Sequence, residues 1–338
     1  MIVLCLNRGS SSLKHAVYAG EKRIAAGQVA DLAAVLDQLS PAPDAVAHRF
    51  VHGGPRHHAP SLVTAGLLED LAEATPFAPL HLPGGLQLVR EVAARYPHVP
   101  QVICFDTDFH WNLPEVTRRL PLPRALYEEG VRRYGFHGLS YQSVIDRIGG
   151  EGRVVIAHLG NGASLVAVRD GRPIDTSMGF TPAGGIMMGT RSGDLDPGVA
   201  VHLLQRPGFG APDLERLIDR ESGLLGVSGL SGDLRELLAS EDPHAALAVE
   251  MFCYQVRQRI GAYAATLGGL EKLVFTGGIG ENALQVRARI CAGLGFLGIA
   301  LQPGGASTGR CVVQVVPADE ERVLASSARA LLGERSTR

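Results

Sequence analysis

Chemistry-bearing residues concentrate in a few small-residue turns. The longest is Asp175–Gly198, DTSMGFTPAGGIMMGTRSGDLDPG, which presents one cation, Arg191, with carboxylates only near its ends at Asp175, Asp194 and Asp196. Its six glycines and two prolines forbid a long helix or strand. Met178, Phe180, Ile186, Met187 and Met188 are more apolar than a solvated loop needs. The segment reads as backbone folded around a site that uses one guanidinium, or as a hydrophobic connection in which Arg191 is merely paired. A second turn, NRGSSSLK (Asn7 to Lys14), offers small N–H and O–H groups that suit phosphate oxygens. The bland alternative is a serine-rich hairpin. Asp106 in FDTDFH ends a helix-to-strand crossover, the place where open α/β sheets put reacting groups. Arg49 sits in AVAHRFV, where it points to solvent or into a cleft, and His137 lies in a glycine-flanked loop, GFHG. In LVFTGGIGEN a strand feeds glycines toward a helix start, a ready anion site.

Other patterns carry no such chemistry. No GxxxxGK[ST] is present, and GLGFLG at Gly293–Gly298 follows a helix rather than a strand, which excludes a dinucleotide fold. His57 and His58 lack a carboxylate or cysteine at ligand spacing.

The elements that position these turns alternate between strands and helices. Strands are expected at Met1–Leu6, HAVYA, Ala45–Val51, Pro100–Phe105, Leu273–Thr276 and Cys311–Val316. Helices are expected at Ala30–Leu39, Gly84–Tyr96, Pro197–Leu204, Pro243–Leu267, Ala283–Gly293 and Arg322–Leu332. Asp196 precedes Pro197 as an N-cap with a first-turn proline, and Asp233 with Glu236 has capping spacing. VVIAHLGNGASLVAV repeats the pattern of IVLCLNRGSSSLKHAV about half a chain later, with Ser164–Leu165 falling on Ser12–Leu13. That faint duplication implies two related domains aiming β-turns at a shared cleft.

With 338 residues, two domains are the default. A net charge of −2 argues against a nucleic-acid partner. No apolar run is long enough to cross a bilayer, and the N-terminus lacks a signal-peptide pattern. Five scattered cysteines without a CxxC pair read as reduced thiols, so a cytoplasmic location is expected.

The order of the motifs is more specific than any one of them. NRGSSSLK, HRFVHGG, FAPLHLP, FDTDFH, RRYGFHG, HLGNGAS, MGTRSGDLDPG, FTGGIGEN and VPADEE occur in sequence. The chain thereby resembles the acetokinase family of acetate, propionate and butyrate kinases, from Ile2 to about Ala330. The resemblance implies an α/β fold of two duplicated ribonuclease H-like domains, of the actin, heat-shock chaperone and sugar kinase type, around a central cleft. The N-terminal domain would span 1–146, rejoined by a C-terminal helix at about 322–338, and the C-terminal domain would span 147–321. It implies reversible in-line phosphoryl transfer from ATP to acetate, Mg2+ (or Mn2+) as cofactor, and a homodimer.

The resemblance also implies roles. Asn7 and Glu320 match the family's magnesium-site residues, and Ser10, Ser12 and Lys14 the turn that meets phosphate. Arg49 and Arg191 match the arginines at the acyl and transferring phosphoryl groups, Asp106 an essential aspartate, and His137 a phosphoryl-stabilising histidine. His158, Leu159, Gly160, Asn161 and Gly162 match one nucleotide segment. Asp233, Leu234 and Arg235 match a second, and Gly278, Ile279, Gly280, Glu281 and Asn282 a third. Val51, Leu80, Phe136 and Pro182 match an apolar pocket for the acyl methyl. The chain departs from the family pattern in a shortened stretch between Gly20 and Ala47, and at Arg8, Leu82 and Gly184. The competing readings are a propionate or other short-chain carboxylate kinase, and a non-catalytic ATP-binding clamp of the same fold.

Overall fold

A computed structural model describes residues 1–8, 13–29, 32–36, 39, 42–79 and 81–333. The chain divides into two compact units. The first comprises Met1–Trp111, Phe136–Ser143 and Asp319–Arg338, and the second Asn112–Gly135 and Val144–Ala318. The stretch Asn112–Gly135, placed by sequence in the first domain, thus groups with the second unit.

The first unit is built on β1 (Ile2–Arg8), β2 (Leu13–Ala19), β3 (Lys22–Val29), β4 (Ala45–Phe50), β5 (Ser61–Leu62) and β6 (Gln101–Phe105), in the order β3-β2-β1-β4-β6-β5. The β1–β2 and β2–β3 pairs are antiparallel, whereas β1–β4 and β4–β6 are parallel. Strand β1 is apolar from Ile2 to Leu6 because both its faces are covered there. Val3 and Cys5 pack with Val323, Leu324 and Ala328 of the C-terminal helix Glu320–Gly333. Leu4 and Leu6 pack on the other side with Leu88 and Val92 of the helix Leu82–Arg95.

The second unit holds β7 (Arg153–Leu159), β8 (Ala163–Arg169), β9 (Arg172–Thr176), β10 (Lys272–Thr276) and β11 (Val312–Val315). Read from β9, the order is β9-β8-β7-β10-β11, with the first two pairs antiparallel and the last two parallel. This is the first sheet's β3-β2-β1-β4-β6 again, strand for strand and sense for sense. The 25-residue helix Pro243–Leu267 crosses β8, capped by Asp242, which accepts from the His244 N–H at 2.7 Å, and stopped by Gly268 at φ 71°.

Three elements differ from the sequence expectation. The described helix inside 30–39 is only Ala33–Leu36. GGIGEN is itself a helix, Gly277–Asn282, in which Glu281 Oε1 accepts from the Gly277 N–H at 3.0 Å, and a break at Ala283 separates it from Leu284–Cys291. The C-terminal helix starts at Glu320 rather than Arg322, because the Asp319 carboxylate accepts from the Arg322 N–H at 3.2 Å and draws two more residues into the first turn.

Candidate active site

In the first unit the strand order brings β1, β4 and β6 side by side, so the ends of all three meet. Arg49, near the end of β4, projects its guanidinium onto Asp106, the first residue past β6. Its Nε lies 3.1 Å from each Asp106 carboxylate oxygen, and Nη2 donates to Oδ2 at 2.5 Å. Its Nη1 donates to Asn7 Oδ1 at 3.0 Å, and its Nε stands 3.6 Å from Glu320 Oε2. Asn7 returns its amide N–H groups to Glu320 Oε2 at 2.8 Å and Glu321 Oε1 at 3.0 Å. Asp106 is 1% exposed and Asn7 6%.

Burial, with a smaller push from Glu320, raises the Asp106 carboxyl, and the adjacent guanidinium only partly offsets it, leaving it at about 6 and mostly anionic at neutral pH. Burial also opposes the charge on Arg49. Asp106, Glu320 and Glu321 outweigh that penalty and hold its pKa above the usual arginine range. The set therefore keeps a permanent, planar, five-donor cation at fixed orientation. Three carboxylates and one amide oxygen are of the hard-oxygen class that Mg2+ takes. Asp106 and the Asn7 amide oxygen, however, are engaged by the Arg49 guanidinium, and among the described residues no group of three or more His, Cys, Asp or Glu side chains is arranged to hold a metal ion.

The loop after β6 is locked to this cluster. The Gly138 N–H donates to the Asp106 carbonyl at 2.9 Å, and a methyl on Gly138 would collide with that carbonyl and lie 2.8 Å from Phe109 Cβ. His137 beside it holds a left-handed backbone, φ 61°, where a side chain is strained. His110, whose pKa burial lowers to about 4, is neutral and donates Nε2–H to the Phe136 carbonyl at 3.0 Å. Phe136 is 1% exposed, and its ring meets His52 at 5.6 Å between centroids. Val51 is half-buried next to His52 in the chain. Lys14 is exposed on β2, paired in register with Asn7. Ser10, Ser12 and Leu80 lie outside the described residues.

The second unit contains a cavity of about 820 Å3. Three separate chain segments converge on it: Gly160 and Asn161, then Asp233 to Arg235, then Gly278, Ile279 and Asn282. Gly232, Leu238, Ala239, Ala283 and Gln285 complete the wall. Asp233 caps the helix Leu234–Ala239, accepting from the Arg235 N–H at 2.8 Å, and pairs with the Arg235 guanidinium at 2.6 Å. His158, Leu159, Gly162 and Gly280 do not line the cavity. Leu159 is fully buried, and Gly162 accepts the Gly160 N–H at 3.1 Å. Glu281 turns from the cavity, its Oε1 accepting from Gly277 and Ala318 N–H groups.

The stretch Asp175–Gly198 belongs to the same unit. Ile186, Met187 and Met188 are buried, and Asp194 closes the base of a loop by accepting from the Gly185 N–H at 2.7 Å. Arg191 is near the tip, with Nη1 donating to the Pro182 carbonyl at 3.2 Å and touching Met188 Sδ at 3.7 Å. Asp196 caps the helix Pro197–Leu204 through the Gly198 N–H at 2.7 Å.

At the departures from the family pattern, Leu82 is buried in the first unit's core. The Arg8 Nε would lie 3.3 Å from a methyl on Gly84, and Asp194 Oδ1 3.3 Å from one on Gly184. Glu321, Gly138, His110 and Gly232 were not singled out in the sequence. Glu321 had a signal, its place beside Glu320 in PADEE, and Gly138 had the GFHG motif.

Residues 30–327 match the model of the acetokinase family. An acetate kinase of Rhodopseudomonas palustris is 50% identical over 266 residues, 77% of this chain and 67% of the relative. Among solved structures, an acetate kinase from Porphyromonas gingivalis superposes with a TM-score of 0.88 at 34% identity, covering 98% of this chain and 99% of that one. A propionate kinase from Francisella tularensis gives 0.89 at 31%, covering 96% and 98%.

Proposed function

The chain belongs to the acetokinase family, and from that premise we propose that it transfers the terminal phosphoryl group of ATP directly and reversibly to acetate, forming acetyl phosphate and ADP. The family makes it a phosphotransferase with a carboxyl acceptor. The observation that carries the finer reading is Arg49, held by the buried Asp106 with Asn7 and Glu320 around it.

Acetate has a pKa of roughly 4, so at neutral pH it is already the nucleophile and needs no general base. Asp106 therefore takes no proton; it fixes the Arg49 fork. The barrier lies in bringing one anion onto another. Arg49 and Arg191 offset it by spreading the charge of the transferred group, with His137 as a further donor. Asn7 and Glu320, with Asp106 beside them, would hold Mg2+ through hard oxygens. An ion held there would supply charge neutralisation at the phosphates.

The cavity walled by Gly160, Asn161, Asp233–Arg235, Gly278, Ile279 and Asn282 takes the nucleotide, and His158, Leu159, Gly162, Gly280 and Glu281 are assigned to the same segments without lining it. Lys14, Ser10 and Ser12 meet phosphate. Val51, Phe136, Leu80 and Pro182 are the residues assigned to the acyl methyl. The two units act as the N-terminal domain, rejoined by the last helix, and the C-terminal domain. A homodimer in the cytoplasm completes the proposal. Five free, buried cysteines suit a reducing compartment, and among the described residues no helix is long and apolar enough to cross a membrane.

The test is a hydroxamate trap for acyl phosphate with ATP and Mg2+, run with acetate, propionate and butyrate. Acetyl hydroxamate at the highest kcat/KM is the expected result. One methylene shifts preference by only ~1–3 kcal/mol, so a propionate maximum would move the substrate and keep the reaction. No hydroxamate from any acid would end the proposal.

A further inference from the structure

One contact in the second unit joins its two sites. Gly189 donates its N–H to the Asn161 carbonyl at 3.0 Å. A methyl on Gly189 would collide with Asn161 Oδ1 and lie 3.0 Å from the Gly232 carbonyl. A methyl on Gly232 would in turn lie 2.9 Å from the Gly189 carbonyl and 3.3 Å from Thr190 Cγ2. Asn161 and Gly232 both line the large cavity. Gly189 is two residues before Arg191.

The intervening backbone is held at every step. Leu224 and Leu225 donate to the carbonyls of Met188 and Gly189 at 2.8 and 2.9 Å. Ser222 donates to the Thr190 carbonyl at 3.0 Å, and Met188 donates to the Arg191 carbonyl at 3.0 Å. The guanidinium is anchored on the same loop, at the Pro182 carbonyl. A close-packed segment bonded this way moves as a body rather than absorbing a push.

The geometry points to Gly189 as a positioning residue, through which a nucleoside di- or triphosphate in the cavity sets the place of Arg191. Pressure on Asn161 or Gly232 reaches Gly189 by direct contact, and the loop passes it to Arg191. Only a residue without a side chain lets the two backbones lie this close. The inference rests on the proposed reading of the cavity and of Arg191.

The test is a double-mutant cycle in the full chain with Gly189→Ala and Asn161→Ala. It reads kcat with acetate, ATP and Mg2+, ADP binding by calorimetry, and the thermal midpoint. Residues in contact couple by factors of roughly 2 to 150. Gly189→Ala is expected to lower kcat about tenfold with ADP binding kept, while the clash of the methyl lowers the thermal midpoint modestly. Removing the Asn161 side chain frees the space the methyl needs, so the double variant recovers toward the kcat of Asn161→Ala alone. Gly232→Ala pushes on the same backbone from the cavity wall and lowers kcat as well, which keeps the test open if Gly189→Ala fails to fold.

Effects on kcat that multiply independently overturn the coupling, as does weakened ADP binding with kcat untouched. Arg191→Ala, measured alongside, separates the two layers. Wild-type turnover in that variant removes the reading of Arg191 itself. Lost turnover there, with an independent cycle, removes only the role of Gly189.

Discussion

The two sheets share strand order and strand sense, yet their strand ends hold different kinds of residue. In the first unit, β1, β4 and the turn after β6 end on Asn7, Arg49 and Asp106, an interlocked set of charges and an amide. In the second, β7 runs into Gly160 and Asn161, and β10 into Gly277 and Gly278, beside a cavity of about 820 Å3. One scaffold thus supports two ways of meeting a ligand. The first offers fixed charge, which acts on the group that changes in a reaction. The second offers backbone and space, which holds a molecule without altering its reactivity. The exceptions are the Asp233–Arg235 ion pair in the cavity wall and the loop around Arg191, which bring guanidinium groups to the glycine-built half.

If that contrast is functional, substitutions in the two units fail in different kinetic parameters. The largest effect is expected from Arg49→Lys, which keeps the charge and loses the fork. Losing such a group costs ~10³-fold or more in turnover, with KM for ATP little changed. Ile279→Trp, which fills the cavity from its wall, is expected to raise KM for ATP on the order of tenfold with kcat nearly intact. Steady-state kinetics with both substrates varied checks the pair. Matching losses of kcat in both variants would erase the distinction.

A smaller effect sharpens the charged half. The folded-state pKa of Asp106 is raised to about 6 from 3.8, so the native state holds its proton more tightly than the unfolded chain. The stability this contributes is fully present below about 4 and is lost as pH rises through about 6. Denaturant unfolding of the wild type against Asp106→Asn is therefore expected to show the wild type losing ground between those pH values. A difference that is flat with pH, or that runs the other way, would mean that Arg49 outweighs burial there.

Much of this architecture is written locally. Pro197–Leu204 and Pro243–Leu267 have the bounds expected from sequence, the first because Asp196 supplies both the capping signal and the hydrogen bond, the second because its periodicity runs between the caps Asp242 and Gly268. The repeat of IVLCL and VVIAH reports the duplicated sheet because each strand is buried on both faces. What the sequence hides is whatever depends on distant partners. The fork between Arg49 and Asp106 joins residues 57 apart, and the amide of Asn7 reaches Glu320 across 313. Neither spacing has a local signature. GGIGEN reads as a loop because glycines are poor helix formers. The Glu281 side chain closes that turn back on Gly277, a tertiary detail that propensity does not contain. His137 takes a left-handed backbone at φ 61°, which its residue type does not announce.

The most direct measurement is turnover and ADP affinity of Arg191→Lys, taken on the same preparation. Arg191 stands in the half proposed to take the nucleotide and is itself proposed to act in the chemistry, so it separates the two jobs in one residue. The account requires turnover to fall by ~10³-fold while ADP binds as in the wild type. Near-normal turnover, or an equal loss of ADP affinity, would contradict it.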